Sequence, residues 1–182
     1  MNRNVHERVL DAPPAEVGAL IDGRASDGDG LWPSDRWPAM RLDCPLRRGA
    51  SGGHGSIGHA VSDCEAGRRV RFRFDPRLGL VGHQEFKLAT RAGRTTLHTL
   101  EATQRGRMRI AWPLIFRWLH DPLIEEALDR AETAIRGAPV RRRGWSPWVR
   151  LLRAALRAGR RLAGRLEDRS RPPPGSAPCP PP

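Results

Sequence analysis

The chain has 182 residues, with 32 basic residues against 20 acidic and a formal charge of +12. That length holds one domain of ordinary size plus an appendage and allows a real core. No stretch reaches the roughly 18 uninterrupted apolar residues of a bilayer span, and the N-terminus lacks the apolar run of a secretory signal, so a cytoplasmic protein is expected.

The charge is unevenly placed. From Ala138 onward eleven arginines face only Glu167 and Asp168, a balance of +9, which leaves +3 of the total +12 for residues 1–137. Arguments from net charge therefore concern the tail. Lys87 is the sole lysine, as GC-rich coding alone would produce, so each arginine is not by itself a chosen contact. Cys44, Cys64 and Cys179 lack the close spacing of zinc or redox pairs and read as free thiols.

In chain order, Val5 to Leu10 reads as a first strand with Val5 and Val9 on one face, and Asp11-Ala-Pro-Pro opens a short helix carrying Val17, Leu20 and Ile21. A turn-rich segment, Asp22 to Gly30, ends it. Two Trp-Pro pairs follow in Leu31-Trp-Pro-Ser-Asp-Arg-Trp-Pro-Ala-Met40, and they force extended backbone beside large amphipathic rings. The glycines of Gly49-Ala-Ser-Gly-Gly-His-Gly55 match neither phosphate-binding fingerprint.

A hairpin pairing Ser56–Ser62 with Arg69–Asp75 places Ile57, His59, Val61, Val70, Phe72 and Phe74 on one face, with Arg71 and Arg73 on the other. A second hairpin runs from His83 to Thr90 and from Thr95 to Thr103. Pairing Arg91 with Arg94 sets His83 opposite Ala102 and Lys87 opposite His98, while Phe86, Leu88 and Leu97 share the alternate, apolar face. A last strand is expected near Arg107 to Trp112.

The strongest signal lies in Trp112 to Gly137. Asp121 suits an N-cap, Pro122 the first helical position, and Gly137 a left-handed stop. Between them Leu123, Ile124, Ala127, Leu128, Ala131 and Ile135 form one apolar stripe, while Glu125, Glu126, Asp129, Arg130 and Glu132 fill the remaining positions. Strand, helix, antiparallel strands and one long helix amount to an α+β layout, the helix packed on a curved sheet.

These residues resemble the SRPBCC, or START-like, superfamily, and within it the bacterial polyketide cyclase/dehydrase-like proteins. The likeness spans residues 4–137. It is carried by Leu10-Asp-Ala-Pro-Pro-Ala-Glu-Val17, Leu31-Trp-Pro, Gly52-Gly-His-Gly55, Val70-Arg-Phe-Arg-Phe74, Gly82-His83, Leu97-His98-Thr-Leu100 and Leu119-His-Asp-Pro-Leu-Ile-Glu-Glu-Ala-Leu-Asp-Arg-Ala131. The resemblance implies a helix-grip fold in which a seven-stranded antiparallel sheet folds around the C-terminal helix over an apolar cavity. It implies a small hydrophobic ligand, a lipid or a polyketide-like aromatic, and no universal catalytic motif. Unlike classical aromatase/cyclase members, this chain has no tyrosine and few recognisable polar cavity residues.

The expected ligand-facing set is Trp32, Trp37, Ile57, His59, Phe72, Phe74, Phe86, Leu97, Trp112, His120 and Ile124. Should the protein be an enzyme, a cyclase or dehydratase, His120 is the candidate acid or base. His54, His83 and His98 are the other junction or strand histidines, and no spacing matches a metal signature. No cofactor is expected.

Residues 138–182 stand outside this domain as a basic linker, an amphipathic helix and a Pro-rich end. From Trp145 the positions Trp148, Leu152, Ala155, Leu156, Gly159, Leu162, Ala163 and Leu166 recur at three and four, with arginines elsewhere. That pattern fits an interfacial anchor on anionic lipid through Trp145, Trp148, Arg150, Arg153, Arg157 and Arg161, and would place the protein at the inner membrane surface. Docking on the domain or on a second copy is the alternative, with nucleic acid the weaker partner. Oligomeric state is left open.

Overall fold

Prolines and glycines punctuate the described residues into eight strands and four α-helices: β1 Asn2–Asn4, β2 Val9–Leu10, α1 Pro14–Asp22, β3 Met40–Leu42, β4 Ser51–His54, β5 Ile57–Glu65, β6 Arg69–Phe74, β7 Leu80–Arg91, β8 Arg94–Gln104, α2 Met108–Ala111, α3 Arg117–Arg136 and α4 Pro147–Ser170. The computed structural model describes residues 2–91, 94–140 and 144–170, with side chains over 3–90, 102–140 and 144–159. The chain divides into two compact units, residues 1–144 and 145–182.

In the first unit one antiparallel sheet runs in the order β1-β8-β7-β6-β5-β4-β3, and β2 continues the β1 edge along β8. The sheet is α+β in class and grips α3. Ile124, Ala127, Leu128 and Ala131 of α3 are fully buried against Val61, Val70, Phe72 and Phe86 of the sheet and Val17 and Ile21 of α1. Each large side chain removed from water contributes about 1.5–3 kcal/mol, so this seam is the main stabilising term of the unit. A second cluster at one end joins Phe74, Leu80, Ala102, Met108 and Trp112.

The first hairpin has the expected faces: His59 opposes Phe74 and Val61 opposes Phe72, while a bulge between Val61 and Asp63 lets β5 run on to Glu65. The row continues across β7, where Gln84 opposes Phe72 and Phe86 opposes Val70. In the second hairpin Arg91 does pair with Arg94, and Leu88 with Leu97. A bulge between Glu85 and Leu88 then shifts the register by one, so His83 opposes Glu101 rather than Ala102.

Three further expectations are corrected. Residues 107–112 form no strand: Met108–Ala111 is α-helical and Trp112–Phe116 is a π-turn closed by the Arg117 N–H on the Trp112 carbonyl. Pro113 has no N–H to give to the helix, and the wider turn accommodates that loss. The long helix therefore does not start at Asp121; Pro122 lies inside it, and Asp121 accepts from Asn4 Nδ2 at 2.6 Å instead of capping. Gly137, at φ 66°, ends the helix as expected.

The first strand is split, and its polar side chains face α3. Val9 is 50% exposed, whereas Leu10 is buried. Arg8 reaches Glu125 at 3.1 Å, Asp129 at 2.9 Å and Glu132 at 2.7 Å. Asp129 and Glu132 are buried beneath it, and Glu126 is buried under Trp37 and Arg36. α1 is pinned at its far end by the turn after β5, since Asp22 accepts the Gly67 N–H at 2.8 and 2.9 Å. Gly18 permits that approach, because a Cβ there would stand 2.8 Å from the Gly67 Cα.

Candidate functional site

The docking of α1 decides where Arg24 goes. Val17, Ile21 and Arg24 are spaced by four and three, so the helical stripe carries past Gly23 and turns the arginine inward with the two apolar residues. Ala25 then adopts φ 61°, a strained value for alanine, with its N–H held by Asp29 Oδ2 at 2.8 Å. Arg24 is 1% exposed, and its Nε, Nη1 and Nη2 make no hydrogen bond. Its ion pair with Asp29 spans 3.7 Å. Its guanidinium carbon lies 4.3 Å above Phe86, 4.7 Å from Trp32 and 5.8 Å from Phe72.

Aromatic faces stabilise a desolvated cation by about 2 kcal/mol. A buried charged donor left without acceptors costs more than the 1–3 kcal/mol of a neutral one, so the rings offset the burial only in part. Burial lowers the Arg24 pKa to about 10, against the pull of Asp29, and the guanidinium stays charged at neutral pH.

Two imidazoles, His54 and His59, lie close enough to feel this cation's charge. The His54 ring is 4.8 Å from Trp32 and 5.1 Å from His59, and the His59 ring is 5.3 Å from Phe74. Burial pushes His59 down to about 4, with the Arg24 and His120 charges acting the same way. His54 is lowered well below its ordinary value by burial, then by His59, His120 and Arg24. Both rings are neutral at pH 7. Neither ring nitrogen of His59 has a hydrogen-bond partner, and neither does Gln84 Nε2.

His120 sits on α3, 5.9 Å from the Trp112 ring and 6.1 Å from His6. Burial lowers its pKa, opposed by Asp121 at 3.7 Å. His6 behaves oppositely. Burial alone would lower it, but hydrogen bonds to Asp121 and to Glu125, the latter at 2.7 Å, raise it to about 9. Donor atoms of His6, His120 and Asp121 lie within 4.8 Å of one another, a loose cluster that a divalent cation would tolerate, yet both nitrogens of His6 already face carboxylates.

A pH dependence follows from His6. Its folded pKa exceeds the ordinary 6.5, so its stabilisation is fully present below pH 6.5 and is lost as pH rises through about 9. The unfolding free energy should fall between pH 7 and 10 by an amount on the order of a few kcal/mol, the melting temperature with it, and His6→Gln should flatten that slope. Parallel pH profiles for the two proteins would disprove the assignment.

The expected ligand-facing residues distribute as follows. His59, Phe72, Phe74 and Phe86 share the inner face of the sheet, and Ile124 packs opposite them. Trp32 is buried with its indole N–H on the Pro38 carbonyl at 2.8 Å, and Trp37 donates to Glu126 at 3.1 Å. Both tryptophans thus wall the core. Ile57 and Trp112 belong to the end cluster, Trp112 on the π-turn rather than a strand. Leu97 pairs with Leu88, but its side chain lies outside the described residues, as does that of His98. Arg24, Gln84 and Glu126 escaped the sequence reading; only Arg24 carried a signal, its place on the Val17–Ile21 stripe.

In the second unit α4 carries Trp148, Leu151 and Leu156 exposed, and the Arg153 guanidinium stacks 3.8 Å over Trp145. Arg150 and Arg157 are exposed on the same helix; the Arg161 side chain lies outside the described residues. Cys44 and Cys64 are free thiols, and Cys179 lies outside the described residues. No helix among the described residues is long and apolar enough to cross a membrane.

A curved antiparallel sheet wrapped on a long helix, with its inner face lined by aromatic side chains, is a helix-grip fold. The chain is similar in structure to CalU16 from Micromonospora echinospora, at 22% identity and a TM-score of 0.52 over 89% of this chain and 86% of that one. It is similar to the KanY protein at 14% identity and a TM-score of 0.55 (75% and 98% covered), and to a norcoclaurine synthase point mutant from Thalictrum flavum at 12% identity and 0.55 (75% and 95%). At these identities the likeness is one of fold. No protein-family model and no curated protein matches the sequence.

Proposed function

We propose that residues 1–137 bind a small hydrophobic molecule between the sheet and α3. The observation that carries this reading is the composition of the inner face. Phe72, Phe74 and Phe86 stand there beside His59 and Gln84, buried polar side chains with atoms that no protein group satisfies. Such groups inside an apolar shell are the pattern of a ligand site, in which few polar atoms orient a mostly apolar guest. Catalysis of the cyclase or dehydratase kind would use His120, whose neutral imidazole suits a general base.

Binding is tested with N-phenyl-1-naphthylamine, a neutral dye that brightens in apolar surroundings. Saturable one-to-one binding is expected, weakened several-fold in a Phe74→Ser variant that still melts cooperatively. Absence of saturable binding overturns the reading. Native mass spectrometry of protein purified from its own host then identifies any retained ligand, and conversion of that ligand on incubation reports catalysis.

A second reading, contact with anionic membrane, is supported by surface composition. Ile110, Leu114 and Trp118 are exposed on the helical run 108–118, beside the exposed Arg107, Arg109 and Arg117. α4 shows the same mixture of exposed Trp148, Leu151 and arginine. Apolar side chains next to exposed cations match an interfacial surface on acidic lipid.

A further inference from the structure

The buried polar side chains of the inner face share one property: each carries a donor in want of an acceptor. Arg24 brings three nitrogens without a hydrogen bond, Gln84 its Nε2, and His59 a neutral ring with one N–H. They converge. Arg24 lies over Phe86 and Phe72, and Gln84 stands directly across the strand pair from Phe72, one step along β7 from the Phe86 row. His59 packs on Phe72 at 6.0 Å between ring centroids. The nearby Asp29 does not meet the demand, because Oδ2 takes the Ala25 N–H, Oδ1 takes the Leu31 and Trp32 N–H groups, and 3.7 Å separates it from Arg24.

The geometry points to a carboxylate: the guest of this site is an otherwise apolar acid, whose two oxygens take the planar guanidinium of Arg24 in a fork, with Gln84 and His59 as further donors. A guanidinium matches a carboxylate with two parallel hydrogen bonds, and desolvation makes the match stronger. The aromatic rings around Arg24 would hold the body of the guest. This rests on the reading that a hydrophobic molecule binds between sheet and α3, and it adds the charge of that molecule. An aromatic acid and a fatty acid present the same head, so both are tested.

The experiment compares each acid with its methyl ester on the full chain at pH 7.5: 1-naphthoate against methyl 1-naphthoate, and decanoate against methyl decanoate. Melting shifts and displacement of N-phenyl-1-naphthylamine are the two readouts. The acid of at least one pair should bind about 10- to 150-fold more tightly than its ester, the range for hydrogen bonds to a charged group, and the better pair tells ring from chain. In Arg24→Met the preference should collapse to within about threefold while the dye still binds, and the ligand-free variant should melt no lower than the parent, since a buried unmatched charge is gone. Gln84→Met, which leaves the cation in place, should reduce the preference partially.

Equal binding of acid and ester in the parent protein overturns the inference, as does a preference that survives Arg24→Met. Loss of the fold in Arg24→Met together with an unchanged preference in Gln84→Met also overturns it, by making Arg24 a structural cation. Failure of the dye and all four compounds to bind instead removes the underlying ligand-binding reading.

Discussion

Arg8→Met is expected to lower the unfolding free energy by about 3–5 kcal/mol, the cost of removing one partner from a buried ion cluster. Arg8 is only 23% exposed and touches three carboxylates of α3, at 2.7 Å for Glu132, 2.9 Å for Asp129 and 3.1 Å for Glu125. Methionine keeps the volume but leaves the nearly buried Asp129 without its cation, beside a Glu132 that retains only Arg136 at 2.9 Å. Urea unfolding at pH 7 measures the loss. The contrast is Arg68→Ala, whose ion pair with Glu65 spans 3.2 Å on side chains 72% and 48% exposed; a change within about 0.5 kcal/mol is expected there. A loss below about 1 kcal/mol for Arg8→Met would show that water, not the arginine, satisfies those carboxylates.

That cluster also shows where sequence patterning misleads. Alternation in residues 5–10 marks two faces but not which is inner, and hydrophobicity argues for Val5 and Val9. The structure turns the other face inward because α3 presents a second, acidic stripe of Glu125, Asp129 and Glu132 beside its apolar one. Two polar patterns that look solvated apart become a buried pair together, and only the pairing of β1 and β2 with β8 brings them within reach. The apolar stripe of α3 was legible because period and burial coincide: Ile124, Ala127, Leu128 and Ala131 have no exposed surface.

The candidate site was half legible for a similar reason. Alternation placed His59, Phe72 and Phe74 on one face, and the antiparallel register confirms it. Arg24 was lost in a segment read as turn: its spacing continues the Val17–Ile21 stripe, but the preceding Gly23 and the arginine's own charge argue against burial. The π-turn at Trp112–Phe116 was illegible for another reason. Asp121-Pro122 imitates a helix start so well that local chemistry points to the wrong boundary, while Asp121 is engaged by Asn4 and His6, more than a hundred residues away in sequence.

Removal of residues 138–182 is expected to abolish most binding to anionic vesicles while the remaining domain keeps its cooperative melt. Each arginine near an acidic lipid surface contributes on the order of 1 kcal/mol, and salt screens that term within about 8–10 Å. Arg150 and Arg157 on α4 stand beside exposed Trp148, Leu151 and Leu156, so cations and interfacial anchors belong to one helix. Vesicles of phosphatidylglycerol and phosphatidylcholine at low salt should sediment the full chain, half-molar salt should release it, and pure phosphatidylcholine should not bind it. The truncated protein should retain only the weaker contact of Ile110, Leu114 and Trp118, and Trp118→Ser should remove that remainder. Equal sedimentation of full and truncated chains would exclude the tail as the anchor. Unfolding of the truncated form would show that its apolar stripe serves the fold, since a helix that α3 and Gly137 already complete should not need it.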